Sequence, residues 1–157
     1  MGKSVAYVPL ARGECWALLR GAAAGRVVYT SEALPAVALV NYAIVGELVV
    51  FGVGERSKLA GLLTGQVAAF EVDDVDPATG TGWSVLVVGR AARITDAAVT
   101  NRVPPLALYP SSLEGPGAYA GLTGEKVTGR VWDGFGGALG RRTVWEVDPG
   151  CDDAQSG

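Results

Sequence analysis

The sequence predicts a mainly β (α+β) fold: a small antiparallel barrel with a few short helices. Three observations lead there. Short apolar runs recur along the chain, each bounded by Gly, Pro, Ser or Asp, which is the punctuation of strands joined by hairpins. The longest run, residues 82–95 (GWSVLVVGRAARIT), carries Gly89 near its middle, where a bend or bulge would serve a closing barrel. Only two stretches have the apolar spacing of a helix, residues 13–24 and 59–63.

Residues 1–12 read as an extended arm. Residues 13–24 form an amphipathic helix with Cys15, Leu18, Leu19, Ala22 and Ala23 on one stripe, ended by Gly25. Residues 26–30 (RVVYT) make a strand and Ser31-Glu32 a turn. Residues 35–44 (PAVALVNYAI) make the next strand, with Asn41 and Tyr42 on opposite faces by the period of two. Val45-Gly46-Glu47 turns the chain into a buried strand at 48–51. After the second helix, residues 66–74 form a strand and 74–82 a polar turn rich in Pro and Gly. In the long strand beyond it, Trp83, Val85, Val87 and Gly89 share one face; Ser84, Leu86, Val88 and Arg90 share the other. Pro104-Pro105 interrupts any helix begun at Asp96. Residues 106–124 read as an irregular connection, 125–133 as a strand, 134–140 as a glycine loop and 142–147 as a final strand. One domain spans residues 1–148, and the tail 149–157 is expected to be disordered.

Composition removes several functions. The net charge is −3 and no basic cluster occurs, so nucleic acid is not an expected partner. No apolar run reaches the roughly 18 residues of a membrane-spanning helix, and the first residues lack a signal-peptide core; a cytoplasmic location with no membrane partner is expected. Histidine is absent and only Cys15 and Cys151 occur, which excludes Ser-His-Asp and Cys-His catalysis within the chain and leaves no ligand set for zinc. Cys15 reads as a core residue. Redox chemistry, if any, must come from a borrowed cofactor. With 49% hydrophobic and 18% charged residues, the chain keeps apolar surface for a partner subunit.

The chemistry concentrates in residues 48–63 (LVVFGVGERSKLAGLL). Gly52 and Gly54 break the strand, Arg56 and Lys58 bring positive charge, and Ser57 is placed to cap the adjoining helix. Free amides at a helix start beside a lysine favour an anion such as phosphate. Glu71 and Asp73 share a face but read as a solvated hairpin end; Arg90, Arg93 and Arg130 read as surface or subunit-pairing charges. No side chain qualifies as a catalytic acid, base or nucleophile.

Five segments in order, ECWALLRGAAAGRVV (14–28), PAVALVNYAI (35–44), RSKLAGL (56–62), VAAFEVDDVDPATGTGWSVLVVGRA (67–91) and TGRV (128–131), resemble the pyridoxamine 5′-phosphate oxidase-like proteins of the short actinobacterial type. The resemblance implies a split β-barrel that binds FMN at the interface of a homodimer. It implies that Leu39, Val40, Asn41 and Tyr42 line the flavin ring. Gly52, Val53, Ser57 and Lys58 correspond to the phosphate loop, and Trp83 and Ser84 to a segment reaching the flavin from the other subunit. The chain departs from the family at the phosphate: similar proteins read Phe-Arg-Thr where this one has Phe51-Gly52-Val53. Loss of a charged hydrogen bond of about 1.5–3 kcal/mol weakens FMN tenfold or more.

Two functions are compatible with these residues. The first is an FMN-dependent oxidoreductase acting on a small molecule. The second is a cofactor-free barrel that binds a small ligand or serves as a non-redox biosynthetic enzyme such as a cyclase; residues 117–124 (GAYAGLTG) resemble a stretch of small cyclase barrels. A deazaflavin is the alternative cofactor.

Overall fold

The computed structural model describes residues 7–104 and 117–133. The expected glycine loop after Asp133, the strand at 142–147, Cys151 and the tail from Pro149 lie outside them, as do residues 1–6 of the N-terminal arm.

The strands are β1 (Tyr7–Pro9), β2 (Ala24–Ser31), β3 (Leu34–Asn41), β4 (Ala43–Val45), β5 (Leu48–Val53), β6 (Thr64–Val75), β7 (Thr81–Arg93), β8 (Ala118–Thr123) and β9 (Lys126–Asp133). Helix α1 (Arg12–Gly21) comes after β1, a 3₁₀ helix (Lys58–Leu63) after β5, and the short α2 (Ala97–Thr100) after β7. One antiparallel sheet runs β3-β2-β6-β7-β8-β5-β4, with β9 on β7 and β1 on β9. It curls into the split half-barrel that the sequence predicts.

The sheet forks at Gly89. Residues Thr81 to Val88 of β7 pair with β9, whereas Ala91 to Arg93 pair with β8. The short turn from Thr123 to Lys126 joins the two partners and lies over Gly89. A Cβ there would overlap the Thr123 carbonyl oxygen, and the Arg90 amide and carbonyl bond the Thr123 hydroxyl at 3.2 and 3.3 Å. Gly89 therefore admits a crossing backbone. The bulge expected there occurs instead in β6, between Thr64 and Gln66, where Gly65 takes φ +92°.

The long predicted strand 35–44 is two strands. Tyr42 interrupts it because its ring turns inward onto Phe70, 4.7 Å away edge-on, and its hydroxyl donates to the Leu19 carbonyl. β8 falls within the predicted irregular connection: its small residues Ala118, Ala120 and Gly121 carry little apolar signal, yet they pair with β5 along its length. Gly52 continues β5 rather than ending it. Glu32 and Ala33 turn β2 into β3 with φ of +51° and +63°, a conformation that favours Asn-Gly.

The core gathers Cys15, Trp16 and Leu19 of α1 against Val27, Phe51, Phe70, Val85, Val87 and Leu122 of the strands. Cys15 is fully buried, as expected. The buried stripe of α1 includes Trp16 and excludes the exposed Ala23. Glu14 fixes the helix start by accepting from the Ala11 amide at 2.7 Å. Arg12 ties the helix to the β4–β5 turn through Glu47 (2.9 Å), which holds the Glu47 carboxyl below its ordinary pKa.

Candidate functional site

Strand alternation sorts the ten candidate residues. Leu39 and Asn41 face outward from β3, with Leu39 half exposed. Val40 faces the core. Tyr42 is buried, and burial pushes its phenol up to about 12. In β5, Phe51 and Val53 are fully buried and Gly52 lies on the opposite, accessible face, paired with Tyr119. In β7, Ser84 faces outward, whereas Trp83 packs beside the core on the inner side. Leu39, Asn41 and Ser84 share the outer face of the sheet. β2 and β6 stand between β3 and β7, so Ser84 and Leu39 of one chain do not meet.

That outer face is unusually apolar. Cross-strand rows run Leu39–Arg26–Glu71–Leu86 and Val37–Val28–Ala69–Val88. Val37, Leu39, Val67 and Leu86 are 63, 50, 54 and 37% exposed. At their centre Arg26 Nη1 lies 3.1 Å from Glu71 Oε2 and 3.5 Å from Asp73 Oδ2. Desolvation and then the neighbouring Asp73 push the Glu71 carboxyl up, against the pull of Arg26. Glu71 and Asp73 are thus both partnered by Arg26, with Asp73 at the exposed, solvated end of the hairpin. Sequence reasoning missed Arg26 because its partner is set by cross-strand register.

β3 pairs with β2 along one edge and ends the sheet order, so among the described residues no strand lies against its other edge. The predicted anion loop comes after β5. Ser57 caps as expected: its Oγ accepts from the Leu59 amide at 3.2 Å and donates to the Gly54 carbonyl at 2.7 Å. Its single proton is thereby used, and the Ala60 amide bonds the Ser57 carbonyl. Ser57 opens a six-residue 3₁₀ helix, not an α-helix, so the loop's attraction for an anion rests on its side chains. Lys58 and Arg56 are exposed and no ion pair engages either among the described residues. Arg93 reaches the same loop and pairs with Glu55 at 2.8 Å.

No group of acidic or sulfur ligands capable of holding a metal occurs among the described residues, and no helix there is long and apolar enough to cross a membrane.

Comparison with known proteins agrees with this architecture. The solved FAD-binding protein of Mycobacterium smegmatis superposes with a TM-score of 0.66 at 29% identity, over 80% of this chain and 97% of that one. A FAD-binding protein of Mesorhizobium loti shares the fold with a TM-score of 0.66 at 16% identity, over 82% and 98% of the two chains. The uncharacterized protein Rv0080 of Mycobacterium tuberculosis is 39% identical over 94 residues, 57% of this chain; the match spans 62% of the relative's length. Residues 11–131 match the family model for pyridoxamine 5′-phosphate oxidase, and the chain belongs to that family of split β-barrels.

Proposed function

We propose that this chain binds a flavin, FMN in the first instance, and acts with it as an oxidoreductase on a small molecule. The observation that carries the reading is an edge of β3 that no other described strand covers, beside an exposed apolar residue, Leu39, in a chain whose residues 11–131 match the family. The similarity to FAD-binding proteins supports a flavin; the short loop with Lys58 suits the single phosphate of FMN.

A bound flavin supplies the hydride and electron transfer that no side chain of this protein can. The chain's own part is binding and orientation. The β3 edge bonds the polar rim of the ring, and Leu39 and Asn41 lie against its plane. Lys58, and Arg56 beside it, meet the phosphate. Ser57 acts by holding the turn that presents Lys58, since its proton is already bonded to Gly54. Val40, Tyr42 and Val53 support the site from within the core.

Completion of the site calls for a homodimer. The outer sheet face exposes Val37, Leu39, Val67 and Leu86 together, and a second copy laid on it would cover them and bring its own Ser84 and Trp83 segment to β3 of the first. Arg26, Glu71 and Asp73 would supply the paired charges of such an interface.

Titration of the purified protein with FMN, FAD and riboflavin, followed by flavin fluorescence and absorption, tests the reading. Saturable binding is expected, with Lys58→Ala weakening FMN and leaving riboflavin unchanged. Absence of saturation by all three flavins returns the protein to the cofactor-free alternative, and equal effects of Lys58→Ala on FMN and riboflavin remove Lys58 from the phosphate.

A further inference from the structure

A cavity of about 270 Å³ opens where the end of α1, β4 and the segment after α2 converge. Leu19, Ala22, Ile44 and the ring of Tyr42 form its apolar walls, and Arg20 and Arg102 stand in its lining. Among the described residues no carboxylate lines it, although the chain as a whole carries a net charge of −3. Arg20 is set in place by donating from Nη2 to the Gly46 carbonyl at 3.1 Å, which leaves its remaining N–H groups unspent. The nearby Glu47 is engaged by Arg12 and also lies in the field of Arg20. No side-chain partner holds Arg102 among the described residues.

We propose that this cavity is a second binding site, for a small organic carboxylate with an apolar body. Two arginines lining one opening suit an anion, and a carboxylate matches the forked geometry of arginine. The Tyr42 hydroxyl is already bonded to the Leu19 carbonyl, so among the described lining side chains the two arginines are the polar partners and Leu19, Ala22 and Ile44 meet the rest of the ligand. The cavity lies at the Ala24 end of β2, where Asn41 pairs with Ala24. The 3₁₀ helix lies at the other end, where Gln66, the neighbour of Gly61, bonds the Thr30 carbonyl. The cavity therefore lies away from the anion loop, although Tyr42 belongs both to its wall and to the residues placed behind the proposed flavin ring.

Benzoate is the probe and benzamide its neutral isostere, in an amide NMR titration of the full chain. Benzoate should shift the amides of Ala43, Ile44 and Arg102 saturably at millimolar concentration, and benzamide should bind about tenfold more weakly or worse. Arg102→Gln should weaken benzoate about tenfold while melting like wild type. Arg20→Gln should do the same, with a small loss of stability from the Gly46 contact. Equal binding of benzamide, unaltered benzoate affinity in a folded Arg102→Gln, or no saturation at those amides would overturn the proposal. If Arg102→Gln melts early, the benzoate–benzamide comparison on the wild-type chain decides alone.

Discussion

Gly52 provides the sharpest test of the phosphate loop. It lies within β5 opposite Tyr119, and its φ is not among the left-handed glycines, which are Gly46, Gly65 and Gly80. A side chain is therefore compatible with its backbone. It faces away from the buried Phe51 and Val53, on the face it shares with the buried Val50, so Arg at this position extends beside Val50 and away from Phe51 and Val53. Replacing a strand glycine also contributes about 0.5–1 kcal/mol of stability, or about 1–4 °C in melting temperature for a chain of this size. If a phosphate sits beside the loop, Gly52→Arg adds a charge-assisted hydrogen bond of about 1.5–3 kcal/mol, which tightens FMN about 10- to 100-fold. The gain should shrink with added salt. Val53→Thr is the contrast: Val53 is fully buried, so the hydroxyl costs about 1–3 kcal/mol and gives FMN nothing. The assay is fluorescence titration with FMN and riboflavin, paired with thermal melts. A Gly52→Arg protein that melts normally and ignores FMN, or tightens riboflavin equally, refutes the placement of the phosphate.

The fold sets other outcomes. Gly89→Ala must displace the Thr123 backbone and its two bonds to Arg90, costing about 2–5 kcal/mol, whereas Gly13→Ala, with nothing near its Cβ, should stabilise α1 by up to about 1 kcal/mol; denaturant melts compare them, and similar midpoints would sink the fork as described. Glu32→Asn with Ala33→Gly should stabilise by about 1 kcal/mol in the same assay, because both positions hold positive φ; a lower midpoint would count against strain there. Tyr42 keeps its proton to about pH 12 in the folded chain, against 10.0 ordinarily, so its contribution is complete below pH 10 and lost as pH rises towards 12, by at most about 2 kcal/mol after allowance for solvent screening. Stability curves of wild type and Tyr42→Phe between pH 9 and about 12 should differ in that slope; identical slopes would exclude Tyr42 as its source. Leu39→Glu should convert the expected dimer to monomer in light scattering, and an unchanged mass would place the interface elsewhere.

Much of this was legible in the residues. The hairpin at Gly46, the strands read at residues 26–30 and 66–74 and found at 24–31 and 64–75, the long β7, the buried Cys15 and the Ser57 cap all arise from local pattern, because turn chemistry and period are local properties. β8 was not, since Ala118, Ala120 and Gly121 owe their burial to β5 and not to their own hydrophobicity. The Tyr42 break was not, because an inward aromatic at a strand end depends on Phe70 and Leu19, distant in sequence. The same reason hid the Arg26–Glu71 pair and the Arg20–Arg102 cavity. The division of the candidate residues into inner and outer faces could be read only within each strand; which outer faces adjoin is decided by sheet order.

The fork at Gly89 gives β7 two unequal neighbours on one edge. Hydrogen bonds to β9 hold Thr81 to Val88, and hydrogen bonds to β8 hold only Ala91 to Arg93. β8 and β5 also carry the loop with Lys58, while β2 and β3 reach β7 through β6. The two arms of the half-barrel therefore share a single spine strand, and twisting one against the other breaks few backbone bonds. Amide deuterium uptake should report this as separate opening units, with the β5–β8 arm exchanging ahead of the β6–β7 ladder. A ligand that spans both arms would then slow exchange in β5 and β8 most, far from much of its own contact surface.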